Sequence, residues 1–281
     1  MMPGNAPLVT VIIPTYRGDR LEFLRESVAS IQRQSHPYLE ILIVVDGGVS
    51  SETEAFLAEA AGDARLRVLR LPGNQGPARA RNEGIAEAAG QFVAFLDADD
   101  VAEPERIEQQ LTYIDAQRAD IVGSYYRLVD EEGRVIGRKR VPIGPEQVRR
   151  ALWMLNPVGN STVLARAQVL KGRPFREQGR GPATYGEDYE LWVRLVREGF
   201  VVCNQPEYLV RFRVGPQHMS RRRGFRRFAS DFEVRLHTLP LYPALLRPPI
   251  ACASLVLAAL RLLPARWLAM VYMLRNRLGF R

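Results

Sequence analysis

Three carboxylates close the stretch VAFLDADD, residues 93–100: Asp97, Asp99 and Asp100. An apolar run usually ends in a neutral turn, so clustered negative charge there calls for a compensating group. Helix capping is one reading, since Asp99 or Asp100 precedes VAEPERIEQQL and acids favour helix N-termini. It accounts for one acid, not three. A calcium loop fits poorly, because Val101, Ala102 and Pro104 stand where ligands and a sharp-turn glycine belong. The third reading is a hard divalent cation such as Mg²⁺, held by one or two carboxylates with substrate phosphate oxygens completing its shell.

That chemistry needs the acids at the end of a buried strand, and the flanking pattern supplies one. LVTVII (8–13), LEILIVV (39–45), LRVLRL (66–71) and QFVAFL (91–96) read as buried strands. Between them, residues 21–34, 51–61 and 76–90 read as helices, the last with Pro77 near its start and Gly90 as its stop. Strands alternating with helices predict an α/β fold whose mostly parallel sheet is covered on both faces. Ligands of such sheets lie beyond the carboxyl ends of the strands. Three polar strand ends meet there: Pro14-Thr15-Tyr16, Asp46-Gly47-Gly48 and Asp97 to Asp100. Further on, 119–140 reads as two strands around an Asp-Glu-Glu-Gly turn, 160–172 as a strand then a helix, and 187–199 as a helix ended by Gly199.

Composition narrows the chemistry. The 281 residues are 47% hydrophobic and 25% charged, which is globular. Lys139 and Lys171 are the only lysines, so no P-loop lysine is available and Schiff-base chemistry is disfavoured. Two distant cysteines make no disulfide framework and fit a reducing compartment. The first residues lack a basic segment and a signal-type apolar core.

In order along the chain, VTVIIPTYRGDRLEFLRESVASIQRQSHPYLEILIVVDGG, NQGPARARNEGIAEAAGQFVAFLDADD and GEDYELWVRLVREG resemble the successive motifs of family 2 glycosyltransferases, over roughly residues 8–220. The resemblance implies a GT-A fold, a nucleotide-sugar donor (uridine being the common choice), Mn²⁺ or Mg²⁺, and inversion at the anomeric carbon. Carried over, Pro14, Thr15 and Tyr16 would line the nucleoside pocket, and Asp46 would accept from the base ring N–H. The family often has two acids there, whereas Val45 takes the first place here. Arg81 would approach the base or diphosphate, or else be a solvated helix arginine. Asp97 would face the ribose or an outer-shell water, Asp99 would bind the metal, and Asp100 would cap the next helix.

Displacing a nucleoside diphosphate also needs a base for the attacking hydroxyl. Glu187-Asp188 matches the family's acidic pair, and Asp188 stands where its base is found. An acidic first turn alone would also suit the helix dipole. His218, in VRFRVGPQHMS, matches a position where relatives place a third metal ligand or a diphosphate contact. Leu191, Trp192 and Leu195 read as the core side of that helix. A nucleotidyltransferase would want G-x-G-x-R after the first strand, which PTYRGDR lacks. An inactive binding module would have lost Asp99 or Asp188.

The overall charge of +8 is uneven: residues 211–281 hold 14 arginines against Asp231 and Glu233, a net +12, leaving −4 elsewhere. RRRGFRR beside short apolar helices predicts an interfacial anchor on an anionic membrane, with packing onto protein as the alternative and nucleic acid disfavoured. The longest apolar run, IACASLVLAAL (250–260), ends at Arg261 and falls short of the about 20 residues of a span, so none is expected. The expected organisation is a catalytic domain over 1–225, with 1–118 binding nucleotide and 119–225 binding acceptor, followed by a basic, apolar helical tail over 226–281. The expected enzyme is cytoplasmic, peripheral on the inner membrane face, and glycosylates a glycan or lipid-linked glycan for surface polysaccharide.

Overall fold

A computed structural model describes residues 6–177, 186–215, 224–264 and Trp267. Strand β1 (Val9–Thr15) runs parallel to both its neighbours, β2 (Leu39–Asp46) and β4 (Phe92–Phe95). β3 (Leu66–Leu71) extends the sheet beyond β2, also parallel. The crossovers are α1 (Leu21–Gln32), α2 (Ser51–Ala60) and α3 (Pro77–Glu87). Side chains alternate across the strand pleat. Val9, Val11 and Ile13 therefore join Leu24 and Val28 of α1 in one core, while Ile12 joins Ile85 of α3 in the other. Because these strands run parallel, Pro14–Tyr16, Asp46 and the 97–100 acids come out at one edge. α3 ends at Glu87, earlier than the expected stop at Gly90, because Ala88 is already extended.

In the second half, the short β5 (Val101–Ala102) and helix α4 (Arg106–Ala116) lead to the hairpin β6 (Ile121–Val129) and β7 (Val135–Lys139). Helix α5 (Pro145–Ala151) precedes β8 (Leu164–Arg166), which is antiparallel to β4 and β6 and sits between them. Helices α6 (Ala167–Gly172) and α7 (Glu187–Arg197) follow, then β9 (Val202–Arg213), parallel to β6. Among the described residues the sheet order is β3-β2-β1-β4-β8-β6-β9-β5, with β7 added to β6. β9 escapes the sequence pattern because Pro206 interrupts it. The pairing register jumps from Gln205 to Tyr208 there, a bulge that takes a residue unable to donate to the ladder.

Two expectations are corrected. Asp100 caps no helix: β5 follows it, and α4 begins only at Arg106 after Glu105. Instead Asp100 Oδ1 accepts the backbone N–H of Arg213 at 2.9 Å, tying the acidic turn to the end of β9. The tail also contains a longer apolar helix than the uninterrupted run indicates. After α8 (Phe225–Leu236), a 3₁₀ turn, α9 (Arg247–Ala259) and a second 3₁₀ turn join into Ala244–Leu262, 19 residues of mean hydropathy 1.6. Pro248 and Pro249 stand in the first turn of α9, where a missing N–H breaks no helical bond. By length and composition this helix could cross a bilayer, and little of it is buried.

Candidate active site

Helix α3 delivers the central cation. Asp46 at the end of β2 accepts the backbone N–H groups of Gln75 (2.7 Å) and Gly76 (2.8 Å), fixing where the helix starts. Further along, Gly84 lets the helix lie directly on the sheet: a Cβ there would be 2.8 Å from Ile12 Cγ2 and 3.1 Å from Val44 Cγ2. Arg81, one turn earlier, is thereby driven under the strand ends, where it is 6% exposed. It is not a solvated helix arginine.

Its guanidinium donates to Asp97 Oδ1 at 2.8 Å and to Glu187 Oε1 at 3.0 Å. In the amide orientation that satisfies both groups, Asn160 Oδ1 accepts from Arg81 Nε (3.1 Å) and Nη2 (3.2 Å). Burial pulls the Arg81 pKa down, but Asp97 and Glu187 more than offset this and keep it charged. A fork with donors pointing in several directions suits this bridging, which a lysine could not reproduce.

The acidic turn is held from several sides. Ser161 Oγ accepts the Asp97 N–H at 3.2 Å, and Arg213 donates Nε to the Asp99 carbonyl at 3.0 Å. Burial, then the charges of Asp97 and Asp19, push the Asp99 carboxyl up to about 6. Asp100 is raised well above the carboxylate range, by burial and then by Asp99 and Asp97. Acids crowded until they resist ionisation mark a place that a cation would stabilise. Among the described residues no group of three ligating side chains gathers. Asp99, with Asp97 close enough to act on its charge, offers hard carboxylate oxygens of the kind that suit Mg²⁺ or Mn²⁺ completed by phosphate and water. His218 lies outside the described residues.

Across from the turn, α7 starts at Gly186, whose φ of +90° favours glycine. Asp188 in its first turn receives the Asn156 Nδ2–H on Oδ2 at 2.7 Å and the Tyr189 N–H on Oδ1 at 2.8 Å. Asn156 Oδ1 in turn accepts the Val158 N–H, so the amide is oriented to donate to Asp188. Burial first, and Glu187 second, raise the Asp188 pKa. A carboxylate moved toward neutral pH is a stronger base. Leu191, Trp192 and Leu195 are fully buried on the far side of α7, as expected.

A cleft of about 320 Å³ brings Arg81, Asp97, Glu187 and Asp188 together with Asn156 and Asn160. Pro14, Thr15, Tyr16, Asp46 and Asp99 do not line it; they lie at the strand ends beside it. The cleft is also lined by Lys139, Arg227, Asp231, Arg235 and Arg261, none of which the sequence marks as a site residue. Asn156 and Asn160 sit in NPVGN, where a turn signal hides any other role. Arg227, Arg235 and Arg261, which the sequence assigns with the rest of the basic tail to a membrane-facing anchor or to packing onto protein, gather around Asp231.

The glycosyl transferase family 2 model matches residues 10–165. The amylovoran biosynthesis glycosyltransferase AmsE of Erwinia amylovora is 30% identical over 236 residues, 83% of this chain and 86% of AmsE. S. aureus TarS in complex with UDP-GlcNAc superposes with a TM-score of 0.63 at 19% identity, covering 90% of this chain and 72% of that one. A longer TarS chain is covered only to 43%. The mannosyltransferase PcManGT of Pyrobaculum calidifontis, in complex with GDP-Man and Mn²⁺, gives 0.61 at 17% identity over 97% of this chain and 81% of its own.

Proposed function

The chain belongs to glycosyl transferase family 2 and has the GT-A fold, and from that premise we propose an inverting, metal-dependent enzyme moving a sugar from a UDP-sugar to an acceptor hydroxyl. The acceptor in this reading is a glycan or lipid-linked glycan of a surface polysaccharide, met at the inner membrane face. The observation that carries the reading is the Arg81 bridge, which sets the acidic turn of β4 and the acidic pair of α7 at one cleft.

In this account Pro14, Thr15 and Tyr16 line the nucleoside pocket. Asp46 faces the base with the acceptor capacity that the 75–76 amides leave. Asp99, beside Asp97, would hold Mg²⁺ or Mn²⁺, which supplies Lewis-acid stabilisation to a departing diphosphate. Asp188 takes the proton of the attacking hydroxyl, and Asn156 keeps its carboxylate aimed into the cleft. Arg81 neutralises Asp97 and Glu187 so that donor phosphates do not meet unscreened acids. In this reading the hydroxyl attacks from the Asp188 side and the diphosphate departs toward Asp99, the in-line arrangement that inversion would require. The similarity to AmsE, a glycosyltransferase of amylovoran biosynthesis, supports a biosynthetic transfer, and the complexes of TarS with UDP-GlcNAc and PcManGT with GDP-Man and Mn²⁺ support a nucleotide-sugar donor and a metal.

A thermal-shift panel of UDP, GDP and TDP, each with and without Mn²⁺, tests the donor side. A ligand of the folded state raises its melting temperature. UDP with Mn²⁺ should stand out; shifts indifferent to base and metal would contradict the proposal.

A further inference from the structure

The part of the cleft that adjoins Asp188 is built largely from the tail. Asp231 on α8 is 4% exposed, and its Oδ2 accepts from Arg261 Nε at 2.9 Å and Arg235 Nη2 at 3.5 Å. Burial alone would raise its pKa, but the charges of Arg261 and Arg235, joined by Arg227, hold it below the ordinary value. The Arg227 guanidinium stands over the start of α7, 3.8 Å from where a Cβ on Gly186 would lie, close enough to act on Asp188. Arg227, Arg235, Arg261 and Lys139 line this part of the cleft against the one carboxylate of Asp231, with Asp188 adjoining Arg227, so cationic side chains are in surplus here. Arg81 is paired with Asp97 and Glu187 and does not contribute.

The same wall is joined to an apolar surface. The Gly224 N–H donates to the Arg261 carbonyl at 2.9 Å, binding the start of α8 to the end of the 244–262 helix. Next to these two residues, Phe225 is 72% exposed and Leu262 50%, with Leu255 and Val256 exposed further along the helix. Large exposed apolar side chains beside a cationic pocket suit a ligand with an anionic head and an apolar tail at a bilayer surface.

Resting on the glycosyltransferase reading, we propose that Arg227, Arg261 and Lys139 form a subsite for the phosphate or diphosphate of a lipid-linked acceptor. Its lipid tail leaves past Phe225 and Leu262. The wall adjoins Asp188, the proton-accepting side, whereas a donor diphosphate belongs with Asp99. The phosphate would thus hold the acceptor sugar with its hydroxyl toward Asp188. Guanidinium groups suit phosphate oxygens through charge-assisted, paired hydrogen bonds.

The test is flotation of the full chain with three phosphatidylcholine vesicles: neutral, doped with a polyprenyl diphosphate, or doped with phosphatidylglycerol to equal charge. One such contact is about a tenfold effect, so the diphosphate vesicles should bind at least about tenfold more tightly than the charge-matched ones. Inorganic pyrophosphate should compete. Arg227→Gln and Lys139→Gln should each cut that preference by about tenfold while leaving the Mn²⁺-dependent UDP thermal shift intact. They are preferred to Arg261→Gln, which would leave buried Asp231 short of a partner and could unfold the tail. Equal binding to both charged vesicles, or a preference left undiminished by both substitutions, would overturn the subsite. Loss of the UDP shift with either substitution would assign the wall to the donor diphosphate instead. Failure of UDP to bind the unaltered chain would count against the donor reading alone.

Discussion

Arg81 holds Asp97 at 2.8 Å and Glu187 at 3.0 Å, so one guanidinium joins two acidic segments separated by 90 residues of sequence. Removing one partner of a buried ion pair costs about 3–5 kcal/mol, because the remaining charge is stranded. Arg81→Met should destabilise the fold on that order and abolish transfer, since both segments would separate. Arg81→Lys should fold better yet still lose most activity, a point charge being unable to span both acids. Urea unfolding and donor consumption measured on the same preparations check both statements.

The pH dependence of transfer should report the Asp188–Glu187 pair. Burial and the Glu187 charge raise the Asp188 pKa, so its acid limb should lie above the ordinary Asp value of about 3.9. Glu187→Gln removes the neighbouring charge while keeping a hydrogen-bonding side chain. The Asp188 pKa then falls, and the limb in kcat should move to lower pH. An unmoved or raised limb in the variant would show that Asp188 is not the titrating base.

Gly84→Ala tests how α3 positions Arg81. The added Cβ would press on Ile12 and Val44, two buried β-branched side chains with no room to withdraw. Overpacking of this kind costs about 1–3 kcal/mol. Denaturant unfolding should show that loss, although alanine is the better helix former and would stabilise an exposed site.

Tyr242 fastens the tail to α5, its hydroxyl donating to the Arg149 carbonyl at 2.8 Å. Burial pushes its pKa up to about 12, above the ordinary tyrosine value of about 10. A raised folded-state pKa means the neutral form stabilises the fold. That contribution is complete below pH about 10 and disappears as pH rises toward 12. Stability curves for the chain and for Tyr242→Phe should therefore be parallel below this window, and the chain should fall more steeply within it.

What could be read from sequence follows how local each signal is. β1 to β4 and their helices were legible because a continuous β-branched run or a helical repeat is complete within one segment. The acids of 97–100 and the pair Glu187-Asp188 were legible because each is a local cluster at an element end. Arg81 was only half legible: its motif marked it, but burial between two distant acids is a tertiary fact. Asp100 was assigned to a helix because sequence shows the helix ahead and not the Arg213 amide arriving from β9. β9 was hidden by Pro206, and Asn156 by a turn-forming neighbourhood. Arg227, Arg235 and Arg261 were read with the other tail charges, since nothing local separates an arginine facing lipid from one facing Asp231. The 244–262 helix was underestimated because Arg247, Arg261 and two prolines break the apolar run without breaking the helix.

The division of labour between Asp99 and Asp188 is the core of the account, and Asp188→Asn separates them. The measurement is kcat for donor consumption at saturating UDP-sugar and Mn²⁺, with the UDP thermal shift recorded on the same protein. A general base contributes about 10²–10⁴-fold, so kcat should fall by that factor while the metal-dependent shift is unchanged. A variant that turns over within a few-fold of the unaltered chain would contradict the assignment of Asp188 as the base.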